Sequence, residues 1–330
     1  MNGHAMPSMS AACECGPRRR RYGRSVNLST SIGARGDGFV LFALTPPRRS
    51  TPLDRLPAIA AATKERLSSL DLDGLILYDI DDESSRSPTE RPFPFSPTVD
   101  PAIYRADHLG DWRTPVVVYR AVAKYQSAEL SDWISAQVPE RTLTVLVGAA
   151  SRDATPAVTL SQAQLMCAEL NPGLLLGGVA IPERHSRRED EHRRLIHKQA
   201  AGCSFFVTQV VYDLNTAKNL VSDYRYECAA QGVDPVPIVF TFSVCGSMKT
   251  LEFLRWLGVD VPKWIENDLR HAANPLQASL DQAYATALEL TAYCRRLGVP
   301  FGLNVESVSI RREEIEASVE LAARLIRAVR

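Results

Sequence analysis

The chain has 330 residues, enough for one large domain or two small ones. Its 38 basic side chains are matched by 38 acidic ones, so no global field draws it to nucleic acid. Hydrophobic residues make up 45%, ordinary for a packed globular protein, and no apolar run reaches the roughly 18 residues of a membrane span. Neither nucleic acid nor a membrane is expected as a partner.

The seven cysteines are an odd number and mostly lie inside apolar segments, as reduced thiols of a cytoplasmic protein would. Cys13 and Cys15 stand apart from any second pair of zinc ligands. Residues 1–36 are rich in Gly, Ser and Arg and lack a hydrophobic pattern. No apolar stretch follows Arg18 to Arg21, so they do not read as an export signal. A disordered arm over 1–36 is expected, followed by one domain over 37–330.

Residues 39–44 read as the first strand, closed by Thr45-Pro46-Pro47-Arg48, because prolines after a strand force a loop. Helical spacing follows over 53–70, then a strand over 74–78 that runs into Asp79-Ile80-Asp81-Asp82-Glu83. The Pro-rich loop over 87–101 is long for a simple connection, and loops of that size often carry function. Further strands are predicted over 116–120, 142–147, 174–179, 204–207, 236–241 and 300–305. Helices are predicted over 127–138, 161–170, 193–201, 214–231, 249–257, 262–271, 276–297 and 311–329. Eight short strands alternating with helices predict a single (β/α)8 TIM barrel, an α/β fold. A doubly wound sheet would carry a glycine fingerprint after its first strand, where this chain has Thr45-Pro46-Pro47.

The most informative stretch lies within 174–213. It contains Pro182-Glu183-Arg184-His185, then Glu191, Lys198, Ala201-Gly202 and finally Thr208-Gln209. In order and spacing this resembles the flavin- and folate-binding half of the methylenetetrahydrofolate reductase family. The family pattern there is Pro-Glu-x-His, a helix with an acid and then a Lys before Ala-Gly, and a strand ending Thr-Gln. The likeness runs from about Phe39 to the C-terminus and keeps Pro46-Pro47-Arg48. It implies a TIM-barrel oxidoreductase of one-carbon folate metabolism. The reaction would be reduction of 5,10-methylenetetrahydrofolate to 5-methyltetrahydrofolate by NAD(P)H, with FAD as the relay. The resemblance assigns His185, Glu191, Lys198 and Thr208 to the cofactor. It assigns Gln209 to the folate, whose pterin edge offers donors and acceptors side by side to match a neutral amide. A small-molecule folate is thus the expected partner, and a homo-oligomer is compatible with the chain.

Four departures fall on the substrate side. Ala43 stands where the family has the Glu that serves as general acid toward the folate, and alanine cannot transfer a proton. Val147-Gly148-Ala149 replaces Arg-Gly-Asp, and Cys245 aligns with a Phe that sandwiches the folate ring. Asn304-Val305-Glu306-Ser307 has no match for the family's Tyr and Arg.

Replacement acids are sought in Asp79, Asp81, Asp82 and Glu83, and in Glu306. The acidic run followed by Arg91-Pro92-Phe93-Pro94 also resembles divergent, flavin-independent members of the group. Four acids within five residues repel one another unless arginines, a cation or raised pKa values relieve them. Arg86, Arg91 and Arg120 are candidate partners. No His stands at useful spacing from the run, so no metal is expected. Glu306 is either the missing acid or an ion-pair partner for Arg311 or Arg312. Three readings stay open: a reductase with relocated acids, a folate- or flavin-binding barrel with other chemistry, and a non-catalytic regulatory binding protein.

Overall fold

The computed structural model describes residues 27–82, 84, 89–149 and 155–330. Eight parallel strands close into a barrel in chain order. They are β1 (Phe39–Leu44), β2 (Gly74–Leu77), β3 (Val116–Ala121), β4 (Thr142–Val147), β5 (Leu176–Ala180), β6 (Cys203–Val210), β7 (Ile238–Ser243) and β8 (Phe301–Glu306). The outer ring contains α2 (Leu56–Leu67), α3 (Pro101–His108), α4 (Ser127–Ser135), α5 (Leu160–Leu170), α6 (Pro182–Arg188), α7 (Glu191–Ala200), α8 (Leu214–Gln231), α9 (Met248–Trp256), α10 (Lys263–His271), α11 (Pro275–Leu297) and α12 (Arg312–Val329). The (β/α)8 TIM barrel expected from the strand–helix alternation is the observed fold.

Side chains alternate between the two faces of a strand. Phe39, Leu41, Ile76, Val117, Leu143, Val145, Phe205, Val207 and Val239 fill the barrel interior. The opposite faces pack on the helices in a second, larger cluster that includes Val40, Leu75, Val118, Phe206, Phe240 and Leu303. The interior is jointed by large and small residues. A Cβ on Gly302 would lie 2.2 Å from the Phe39 ring, and one on Gly177 would lie 2.5 Å from the Phe205 ring.

The expected disordered arm over 1–36 does not hold for its described part. Leu28–Gly33 forms a helix, α1, capped by Asn27, whose side chain accepts the Ser29 amide at 2.9 Å. Its Leu28 and Ile32 are fully buried and join the interior cluster. A Cβ on Gly74 would lie 2.8 Å from Leu28, so α1 plugs the amino end of the barrel. Residues 1–26 lie outside the described residues.

Two short helices escape the hydrophobic pattern. In α3, Asp100 accepts the amides of Ala102 and Ile103, and Pro101 fills the first turn, an N-terminal signature in three residues. In α6, Pro182 again starts the helix, and Glu189 ends it in the left-handed region at φ 54°.

The long loop is fastened at both ends. Arg48 and Thr98 form a bridge between the Pro-Pro-Arg turn and the loop's end. The Arg91 guanidinium lies 5.3 Å from the Phe253 ring centre and 4.9 Å from that of Trp256, and Trp256 donates to the Thr89 carbonyl at 3.0 Å.

Gly302→Ala should destabilise the fold by about 1–3 kcal/mol through overpacking against Phe39. Urea unfolding checks this, and Phe39→Leu in the same chain should recover part of the loss. Full stability of the single variant would contradict the interior packing.

Candidate active site at the carboxyl end of the barrel

The register between β1 and β8 pairs Ala43 with Glu306. The acid that the family carries on β1 is therefore absent at a position directly flanked by an acid on the next strand. Glu306 is half-buried at the mouth. Burial pushes its carboxyl up to about 7, tempered by a hydrogen bond with the Tyr78 hydroxyl. Tyr78 in turn accepts from Asn304 Nδ2 at 3.1 Å, and the same nitrogen reaches Thr241 Oγ1 at 3.2 Å. The Tyr78 and Tyr119 rings meet edge to face at 4.9 Å. Burial and the Glu306 charge keep both phenols protonated. Asn304 Oδ1 is buried without a hydrogen-bond partner. A carboxyl protonated near neutral pH beside neutral hydroxyls is a competent proton donor. Tyr78 and Tyr119 were missed in the sequence, although their inward parity along β2 and β3 was readable there.

The described acids of the run are engaged in local contacts. Asp79 is buried and turned toward the end of β3. Its Oδ2 accepts the Ala121 amide at 2.8 Å and the Tyr125 hydroxyl at 2.6 Å, while Oδ1 takes Lys124. These contacts make Asp79 a structural tie between β2 and β3. Asp81 accepts the Asp82 amide, and Asp82 accepts from Ser84, which lowers the Asp82 pKa. Both acids shape a local turn. Glu83 and Arg86 lie outside the described residues. Arg120 is also spoken for: it is buried and grips both oxygens of Asp100 at 2.9 Å. Burial alone would raise Asp100, but Arg120, Tyr125 and two amides hold it below the usual range. Neither Arg311 nor Arg312 forms an ion pair with Glu306 among the described residues; Arg312 pairs with Glu316. Cys245 is buried under Ser247 and Ser279 and presents no ring-stacking face.

Of the four residues assigned to the flavin, Glu191, Lys198 and Thr208 are held by internal partners, and His185 is held through one ring nitrogen. Glu191 is fully buried; its Oε1 accepts the Ile181 amide at 3.1 Å and its Oε2 pairs with Arg184 at 2.9 Å. Lys198 donates to the Val179 carbonyl and lies 3.9 Å from Glu191. Thr208 Oγ1 accepts the Thr241 amide at 3.0 Å, where the pairing of β6 with β7 shifts register. His185 is buried against α8, 3.1 Å from Asp223. These side chains lock β5, α6, α7 and β6 together and do not make a cradle for FAD phosphates, so their arrangement does not fit that group.

Gln209 is half-buried at the end of β6 and donates to the Leu257 carbonyl at 3.0 Å. This is its one hydrogen bond among the described residues, and it leaves the amide oxygen for a ligand. Glu183, within the Pro182-to-His185 motif, is a second acid with a raised pKa. It is buried, its Oε2 has no partner, and burial pushes its carboxyl up to about 7.

Both glutamates titrate higher in the folded chain than the ordinary 4.5. The folded state then binds more protons between the two values, so their contribution is full below about pH 4.5 and is lost as pH rises through about 7. Urea unfolding across that window should show Glu183→Gln and Glu306→Gln each flattening the decline. Parallel curves for wild type and variants would refute the raised values.

The described helices include none long and apolar enough to cross a membrane. No curated protein matches the chain. Among solved structures, an uncharacterized protein from Clostridium thermocellum, described as binding two copies of 5-methyl-5,6,7,8-tetrahydrofolic acid, is 39% identical. The match covers 91% of this chain and 99% of that one, with a TM-score of 0.80. A Thermobacillus composti GH10 xylanase aligns over 90% of this chain and 100% of its own at 14% identity and TM-score 0.44, too distant to bear on function. The family model for methylenetetrahydrofolate reductase matches residues 128–305. With more than half of its length matched, and Pro182 to His185 and Thr208-Gln209 inside the match, the chain belongs to the methylenetetrahydrofolate reductase family.

Proposed function

We propose that the barrel mouth binds a reduced one-carbon folate and reduces 5,10-methylenetetrahydrofolate to 5-methyltetrahydrofolate with a nicotinamide hydride, using Glu306 as the proton donor. The observation that carries this reading is the pairing of Glu306 with Ala43, which places a carboxyl protonated near neutral pH beside the vacated position of the family's acid. The folate described for the Clostridium thermocellum relative supports the ligand class.

Glu306 gives its proton to a nitrogen of the five-membered ring. The carbon–nitrogen bond breaks with its electron pair going to that nitrogen, leaving an iminium at the methylene carbon. NAD(P)H delivers hydride to that carbon and leaves as NAD(P)+, and the Glu306 carboxylate recovers a proton from water. In this reading the hydride passes directly, since Glu191, Lys198 and Thr208 each hold an internal partner. Tyr78 holds the Glu306 carboxyl in place, and Gln209 pairs with the pterin edge.

The runner-up is a barrel that binds folate without reducing it. Ala43 and Ala149 favour it, since two acids of the family site are gone.

Purified protein should consume NADH or NADPH when given 5,10-methylenetetrahydrofolate, and turnover should fall as pH rises through about 7, where Glu306 loses its proton. Glu306→Gln should lower kcat by about 10²–10⁴-fold with folate affinity retained. Folate binding without turnover would leave the binder reading, and absence of folate binding would sink both.

Gln209→Ala should weaken folate binding by about 1–3 kcal/mol in titration calorimetry, because ligand polar groups lose their partner. The melting temperature should change little. Unchanged affinity with a large loss of stability would make Gln209 a structural residue only.

A further inference from the structure

We propose that His185, His192 and Asp223 form a site for a divalent transition-metal cation of the zinc type, on the outer wall of the barrel between α6, α7 and α8. One nitrogen from each ring and one Asp223 oxygen all lie within 4.8 Å of one another. His185 Nε2 and Asp223 Oδ2 are already 3.1 Å apart. Tetrahedral zinc with bonds of about 2.0–2.1 Å needs ligand atoms roughly 3.3 Å apart, so modest side-chain adjustment closes the set. Glu227 lies one turn beyond Asp223 on α8, with its Oε2 3.8 Å from His192 Nε2, and adds negative charge beside the three ligands.

A second observation points to a ligand. His185 and His192 are both more than nine-tenths buried, their rings meet edge to face at 5.2 Å, and Nδ1 of each lacks a hydrogen-bond partner. A cation coordinated by both rings would account for their convergence. Arg193 opposes a cation here, and Asp223 and Glu227 supply two negative charges against it. The Asp223 side chain is 51% exposed, which leaves an entry path from solvent. Imidazole with carboxylate favours zinc, cobalt or nickel over magnesium or calcium.

On this proposal His185 would serve as a metal ligand on the outer wall and not as a flavin ligand. The site would pin α6 and α7, which flank β5 and β6, to α8.

The test uses the full chain freed of metal by chelation. Titration with cobalt should develop the visible absorption of a four-coordinate nitrogen–oxygen site at one equivalent per chain. Zinc should displace it. Asp223→Asn, at a half-exposed side chain, and His192→Gln should each weaken zinc binding by about a hundredfold or more in competition with a chromophoric chelator. Far-ultraviolet circular dichroism should confirm that both variants remain folded. Absence of the cobalt spectrum in the wild-type chain overturns the assignment. So does equal metal binding by wild type and both variants, which would place the metal elsewhere.

Discussion

Closure of the sheet between β1 and β8 is the constraint on which the remaining structure depends. A barrel closes only if strands from the two ends of the chain meet in register with their inward residues fitting across the axis. Phe39 fills the space that Gly302 leaves, and that fit seats the whole β1–β8 pair. Four residues further along, the same register sets Ala43 against Glu306. Packing at the closed end of the barrel and chemistry at the open end are therefore consequences of one alignment.

The charges around the mouth divide into those that hold the wall and those left to act. Asp79, Lys124, Tyr125, Asp100 and Arg120 form a connected set behind β2 and β3, in which the Arg120 guanidinium also lies 3.8 Å from the Tyr125 ring centre. Buried charges of this kind are tolerated because each has an opposite partner and directed hydrogen bonds. Glu306 lacks a cationic partner among the described residues, and its raised pKa is the physical consequence. Burial that would be relieved by an arginine is relieved there by a proton.

The family motif has kept its residues while their contacts serve the framework. Glu191, Lys198 and Thr208 stand where the family pattern places them, yet each completes a backbone group of a neighbouring element: the Ile181 amide, the Val179 carbonyl and the Thr241 amide. Motif spacing survives under this change because it is also the spacing that packs a helix across two adjacent strands.

Much of the fold was legible because strand–helix alternation is a local property. Apolar runs of four to eight residues and helical periods appear within short windows, and eight such strands allow few architectures. The missed elements, α1, α3 and α6, are short, so their signals lie in caps and prolines and not in periodicity. The sequence alone established the barrel, the family likeness, the loss of the acid at Ala43 and the candidacy of Glu306. Tertiary structure alone decided that Asp79 faces Tyr125 and Lys124, that Glu306 flanks Ala43, and that His185 meets Asp223 on α8. Those outcomes depend on strand parity and on helices brought together by folding, and the number of residues between two side chains carries no information about the direction in which either points.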